Sequence, residues 1–203
     1  MSNVVLGFNT EMLADYFDER ERRRQGMSRY LHEEVAQSLR ALSLAIPEEA
    51  EETKHYALET MQHLRLMAQD LYPMGIDDLG LEDALNMLWR RLQQGAEIEC
   101  DVLCLLQHSL EISTQLSIYR LVESVLCQLL EYNYHKAAIT LTERKDNAIA
   151  ITIEVLDSKS PLEEAHILNQ HGRLRLASLQ ANYTLDFNCL DISFAPRGVP
   201  LHV

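Results

Sequence analysis

A chain of 203 residues has room for one domain or two small ones, and its apolar fraction of 47% is that of a folded protein. The formal net charge is −13. The acid is spread along the chain: residues 1–73 carry 8 Lys+Arg against 13 Asp+Glu and residues 74–203 carry 10 against 18, so neither half suits a general nucleic-acid or anionic-membrane surface.

The first predicted element is one long helix from about Asn9 to Ile46. Leu31, Val35, Leu39, Leu42 and Ile46 recur at helical spacing as an apolar stripe. The run Arg20-Glu21-Arg22-Arg23-Arg24 interleaves base with acid and reads as a solvated helix face. Pro47 fits the first turn of the next helix. In that helix Ala57, Met61, Leu64, Ala68 and Leu71 alternate spacings of four and three, the seam of a coiled coil, and Pro73 and Gly75 end it. Two helices alone cannot bury both sides of such stripes. A second copy of the hairpin supplies the missing faces, which predicts a homodimeric four-helix bundle over roughly residues 10–71. Packing against the chain's own second half is the alternative.

The second half reads as mixed α/β. Leu81, Ala84, Leu85, Leu88, Trp89 and Leu92 mark a helix ending near Gly95. Ile98, Cys100, Val102 and Cys104 alternate with polar residues, as in a strand. A helix is predicted from about Leu110 to Tyr132. Strands follow at Ala137–Thr142 and Ala148–Leu156, joined by the turn Lys145-Asp146-Asn147. Pro161 opens a helix to about Ala181, and Tyr183–Leu190 with Ile192–Phe194 close the chain as strand. The fold class is thus α+β: a helical hairpin over residues 1–75, then an α/β domain over 76–203 with helices on one face of a mixed sheet.

The candidate chemistry lies in the first helix, at His32-Glu33-Glu34-Val35-Ala36-Gln37. His32 flanks the apolar stripe, where its ring reaches solvent. A carboxylate such as Glu33 can orient an imidazole and take its proton, leaving the other ring nitrogen as nucleophile. An amide such as Gln37 can position an attacking water. These are the parts needed to take a phosphoryl group and release it; by spacing alone, an ordinary surface histidine is the other reading. Ala36, one turn on, is expected to leave room for a docking helix. Cys100, Cys104, Cys127 and Cys189 form no metal-binding spacing and read as buried free thiols of a reducing compartment. No metal and no resident cofactor are expected. No signal-peptide pattern and no apolar run near ~20 residues occurs, so a cytoplasmic protein without membrane insertion is expected.

The order of parts resembles the transmitter region of sensor histidine kinases, and within them the subfamily of the nitrate sensors. The acceptor pattern His-Asp-x-x-x-Gln of that subfamily reads here His32-Glu33-Glu34-Val35-Ala36-Gln37. Leu71-Tyr72-Pro73-Met74-Gly75-Ile76-Asp77-Asp78-Leu79-Gly80-Leu81 resembles its connector, and Tyr119-Arg120-Leu121-Val122-Glu123 the start of its nucleotide-domain helix. The resemblance covers about residues 20–195. It implies His32 as phosphoacceptor, with Glu33 and Gln37 in the roles above, and an ATPase-like second domain.

The departures fall on the nucleotide site. The family's Glu and magnesium-binding Asn align with Ser124 and Gln128. Its Asp-x-Gly-x-Gly becomes Asp157-Ser158-Lys159-Ser160-Pro161, which keeps the adenine-binding Asp and loses both glycines. Its glycine-rich lid is replaced by Asn169-Gln170-His171-Gly172-Arg173-Leu174-Arg175, with Gly172 alone. Ser124, Gln128, Asp157 and Gly172 thus mark a vestigial nucleotide site. The expectation is a two-component signalling protein that does not bind ATP. It resembles dimeric histidine phosphotransferases and exchanges phosphoryl groups with response-regulator receiver domains, as phosphotransferase or phosphatase. An ATP-dependent kinase with a divergent site and a non-enzymatic dimeric regulator are the alternatives.

Overall fold

The computed structural model describes residues 10–47, 50–73, 75–93 and 99–196. The chain divides into two units, Tyr16–Met74 and Met1–Asp15 with Gly75–Val203.

The helical unit is a hairpin. Helix α1 spans Thr10–Arg29, a π-helical turn spans Tyr30–Val35 and α2 spans Ala36–Ala45. The predicted long helix therefore forms, with one defect. At its end Ile46 is extended (φ −72°, ψ 128°), the backbone that a following proline enforces. Pro47 lies in the corner, where its carbonyl accepts from the Ala50 N–H at 3.0 Å, and α3 runs Glu51–Leu71. The helix thus starts four positions beyond Pro47, not at it. Residues 48 and 49 lie outside the described residues.

Apart from the aromatic Phe17 and Tyr72, what the hairpin buries is small or polar. Ser28 and Ala68 are at 0% exposure, and Glu21, Ala36 and Ser43 are also buried. The Ser28 hydroxyl donates to the Ala68 carbonyl at 2.7 Å. Small side chains let two helix backbones approach closely enough for that bond. The larger apolar residues Leu31, Val35, Leu39 and Ile46, and Ala57, Met61, Leu64 and Leu71 of the predicted seam, are only half-buried. Leu42 is 57% exposed and leaves the predicted stripe.

The second unit is an α/β sandwich. Short helix α4 (Gly75–Asp78) and helix α5 (Leu81–Gln93) precede strand β1 (Glu99–Leu105) and the long helix α6 (Ile112–Glu131). Strands β2 (Lys136–Glu143) and β3 (Ile149–Val155), helices α7 (Glu164–Ile167) and α8 (Gln170–Ser178), and strands β4 (Asn182–Asp186) and β5 (Cys189–Phe194) follow. The sheet order is β1-β2-β3-β5-β4, with β1 parallel to β2 and the other pairs antiparallel. Alternation sets the two faces. Ile139, Leu141, Ile151, Ile153, Leu190 and Ile192 are buried on one; Thr140, Thr152 and Asp191 lie in register on the other, where Thr152 Oγ1 donates to Asp191 Oδ1 at 2.8 Å. Leu85, Leu88 and Trp89 of α5 and Leu121, Val122, Val125 and Leu129 of α6 complete the core.

Three further expectations are corrected. The helix predicted over Pro161–Ala181 is broken into α7 and α8. Leu168 is extended between them, and the Asn169 side chain accepts from the Gly172 N–H at 2.9 Å, restarting the helix as its N-cap. The strand predicted over Tyr183–Leu190 turns at Phe187–Asn188, with the Phe187 N–H donating to its neighbour Asp186 at 3.0 Å. No cysteine is fully buried: Cys100, Cys104 and Cys189 are intermediate and Cys127 exposed. Partial burial nevertheless pushes the Cys100 thiol up to about 12, with Asp101 adding to the effect. In the connector, Gly80 adopts φ +86°, a conformation that favours glycine, between α4 and α5. Among the described residues no helix is long and apolar enough to cross a membrane, and no cluster of His, Cys, Asp and Glu has the form of a metal site.

Candidate functional site

Of the box predicted from sequence, His32–Val35 lie on the π turn and Ala36 and Gln37 on α2. At the turn the Ala36 N–H donates to the Leu31 carbonyl, five residues back, instead of to residue 32. None of Tyr30–Val35 is buried, and His32, Glu33 and Gln37 are all exposed. Among the described residues none of these three side chains takes part in a hydrogen bond or ion pair. The ring of His32 is therefore open to solvent, with a carboxylate beside it and an amide one turn beyond that carboxylate. Ala36 is buried in the hairpin. Its small side chain serves the helix–helix approach; it does not clear a surface for a docking helix, as expected from sequence.

The π turn has a visible cause in the spacing of buried positions. On α3 the covered residues run Ala50, Lys54, Ala57, Met61, Leu64, Ala68 and Leu71, an unbroken alternation of four and three. On the opposing helix the buried ones from Glu21 onward are Glu21, Ser28, Ala36 and Ser43, at intervals of seven, eight and seven. One extra residue falls between Ser28 and Ala36. A π turn absorbs one residue without breaking the helix.

The four positions expected to mark a vestigial nucleotide site lie in the α/β unit. Ser124, on α6, donates its hydroxyl to Asn169 Oδ1 at 3.0 Å, and the same oxygen accepts from the Gly172 N–H. Ser124 and Gly172 are thus brought together through Asn169. A Cβ built on Gly172 would lie 3.3 Å from Leu168 Cδ2 and 3.7 Å from Ser124 Oγ, so the missing side chain here serves close packing of α8. Gln128, one turn after Ser124, is buried, and its amide donates to the Glu131 carboxylate. Asp157, past the end of β3, accepts from the His135 N–H through Oδ2 at 2.8 Å. Its other oxygen, Oδ1, is buried without a partner. Asn169 had no assigned role in the sequence; an asparagine three residues before the lone glycine, at the head of a helical run, is the capping pattern that marks it.

A structure of the Erythrobacter litoralis EL346 blue-light activated histidine kinase is similar at 16% identity and a TM-score of 0.51, over 77% of this chain and 63% of that one. The fold is histidine-kinase-like. The chain spans less than two thirds of that structure. The histidine kinase domain from the same kinase is similar at 15% identity, over 90% of this chain and 94% of that one (TM-score 0.43). The Acinetobacter baumannii histidine kinase AdeS is similar at 11% identity, over 81% and 94% (TM-score 0.36). No family model and no curated sequence matches the chain.

Proposed function

We propose that the protein is a dimeric two-component signalling protein of the nitrate-sensor type, in which His32 exchanges a phosphoryl group with the receiver aspartate of a response regulator, without ATP. The observation that carries the reading is an exposed histidine and its carboxylate neighbour on a π turn, with an exposed amide just beyond it on α2, in the helical hairpin of a histidine-kinase-like fold. In the forward step a ring nitrogen attacks the phosphorus of the aspartyl phosphate. The N–P bond forms, the P–O bond to the receiver breaks, and the aspartate leaves as carboxylate. Glu33 holds the ring and takes the proton from its other nitrogen. For hydrolysis, Gln37 positions a water against the same phosphorus.

The dimer rests on the hairpin's half-buried seam. Leu31, Val35, Leu39 and Ile46, with Met61, Leu64 and Leu71, would be covered by a second hairpin in a four-helix bundle.

The fold implies a nucleotide and magnesium in the α/β unit, and the residues there fit that group poorly. Gln128, at the magnesium position, is buried and spends its amide on Glu131. Ser124 and Asn169 satisfy each other, and Gly172 lies inside a packed helix. Lys159 and Pro161 stand where glycines would admit the nucleotide. The one favourable feature is the unpartnered Oδ1 of Asp157, which suits an amine donor. It keeps the ATP-dependent kinase as a second reading.

The test is transfer of label from phosphorylated receivers to the protein, with and without His32→Ala. Label that appears on wild type and not on the variant is the expected result. Identical behaviour with every receiver would leave a binding-only dimeric regulator as the better reading. Calorimetric titration of a nonhydrolysable ATP analogue with magnesium should give no heat; micromolar binding would restore the kinase.

A further inference from the structure

We infer that the extra residue in the acceptor turn is a positioning device: it keeps His32 outside the helix–helix seam, with Ser28 and Ala36 fixing the helix phase on either side. The inference rests on His32 as acceptor, but its geometry is independent of the chemistry. Upstream, the phase of α1 is pinned at Ser28, which is fully buried and bonded to the Ala68 carbonyl at 2.7 Å. Counting forward from Ser28 as the first seam position of a heptad, Leu31 falls on the second seam position and His32 just outside it. Downstream, the phase is pinned at Ala36 and Ser43, both buried. Counted backward from Ala36, an uninterrupted α-helix would place His32 itself on the seam and turn Leu31 away from it. The two phases disagree by one residue, and the disagreement falls on the acceptor.

The π turn resolves it in favour of the upstream count. Leu31 is half-buried, His32 exposed, and the bond from the Ala36 N–H to the Leu31 carbonyl closes the wider ring. Without the extra residue the downstream helix would draw the imidazole between α1–α2 and α3, where a buried ring loses both solvent and access to a receiver.

Two single deletions separate this from a merely irregular helix. Deleting Tyr30 restores a seven-residue interval from Ser28 to Ala36 and puts His32 on the seam. Deleting Glu34 restores the same interval and leaves His32 outside it. Both erase the π turn; they differ in which of Leu31 and His32 takes the seam position. Carbethoxylation of His32 by diethyl pyrocarbonate, followed site by site by mass spectrometry on the full chain, reads the exposure without any phosphotransfer. The Tyr30 deletion should slow the modification at least about tenfold, the protection that a packed element gives against its own opening. The Glu34 deletion should stay within about threefold of wild type, as expected for a ring still at the surface. Equal rates in all three chains, or an equal slowing in both deletions, overturn the inference. A Tyr30-deleted chain that loses helix content by circular dichroism also counts against it, because a restored heptad should keep the hairpin folded. A wild type that modifies as expected but accepts no phosphoryl group overturns the proposed function instead.

Discussion

In the α/β unit, Ile118, Leu121, Val122, Val125 and Leu129 of α6 meet Ile139, Leu141, Ile151 and Ile153 of the sheet, and every one is at 0% exposure. In helices α1–α3 of the hairpin only Ser28 and Ala68 reach that value among the described residues. The difference follows from architecture. Helices laid on a sheet enclose a volume, whereas two helices share only a line of contact. Along that line small residues are favoured, and the large apolar ones stand half-open beside it. The polar groups divide in the same way. In the α/β unit Ser124, Gln128 and Asn169 are occupied with one another or with Glu131; His32, Glu33 and Gln37 are free for an external partner. One unit is closed within a single chain, and the other leaves its large apolar residues half-open.

The contrast can be tested at its strongest point first. Trp89, the only tryptophan, lies in the core of the α/β unit and reports on that unit. Ile139→Ala removes a side chain at 0% exposure and should cost about 2–5 kcal/mol in urea unfolding followed by Trp89 fluorescence. In the hairpin, Leu42→Ala should stay within about 0.5 kcal/mol, because the side chain is already 57% exposed. Equal losses at the two positions would break the comparison. The half-open seam gives the next effect. Leu64→Lys places a charge where a second hairpin would cover it, and should weaken self-association by about 1–3 kcal/mol or more, read as dissociation in sedimentation at micromolar concentration. The Trp89 transition should not move. A wild type that sediments as a clean monomer would sink the four-helix bundle.

How much of this was legible in the sequence differs between the units for the same reason. The stripe Leu81, Ala84, Leu85, Leu88, Trp89 and Leu92 named its own buried face: α5 packs broadly, the first five are buried, and Leu92 near the end of the helix is half-buried. On the long helix α1–α2 the apolar stripe misled. Leu42 follows the hydrophobic period and is exposed, whereas Ser28 and Ser43 break it and are buried. Close helix approach selects for size, and hydropathy does not report size. The π turn was hidden because periodicity in a window of one or two turns tolerates a one-residue slip; only the intervals from Glu21 to Ser43, set against the regular run on α3, expose it. Asn169 and the Phe187–Asn188 turn were missed for a more local reason. Both sit within runs whose propensity reads continuous, and the break is made by a side chain accepting from the backbone.

The cross-helix bond of Ser28 gives a smaller effect. Ser28→Ala removes the bond to the Ala68 carbonyl, yet that oxygen keeps the Tyr72 N–H at 3.1 Å and is not orphaned. The loss should therefore be about 0.5–1.5 kcal/mol in helix melting, and not the larger penalty of an unsatisfied buried acceptor.

The smallest effect is a pH dependence confined to the closed unit. Glu143, at the end of β2, accepts from the backbone N–H groups of Gln107 and His108 at 3.0 and 3.2 Å and pairs with His108 Nδ1 at 2.8 Å. The His108 side chain, and then these backbone donors, hold its carboxyl below the usual carboxylate range against the opposing effect of partial burial. A carboxylate whose value is lowered on folding stabilises the fold above its ordinary value, about 4.3 for glutamate, and that contribution is lost as pH falls through the lowered one. Acidification should thus loosen the segment between β1 and α6 through protonation of Glu143. Glu143→Gln cannot lose a charge, so its stability by Trp89 fluorescence should fall less steeply between about pH 5 and pH 3 than that of wild type. Parallel curves would show that the tie carries no measurable share of the acid response. The pair lies partly in solvent, so added salt should flatten the wild-type difference, as it would not for the apolar contacts around Ile139.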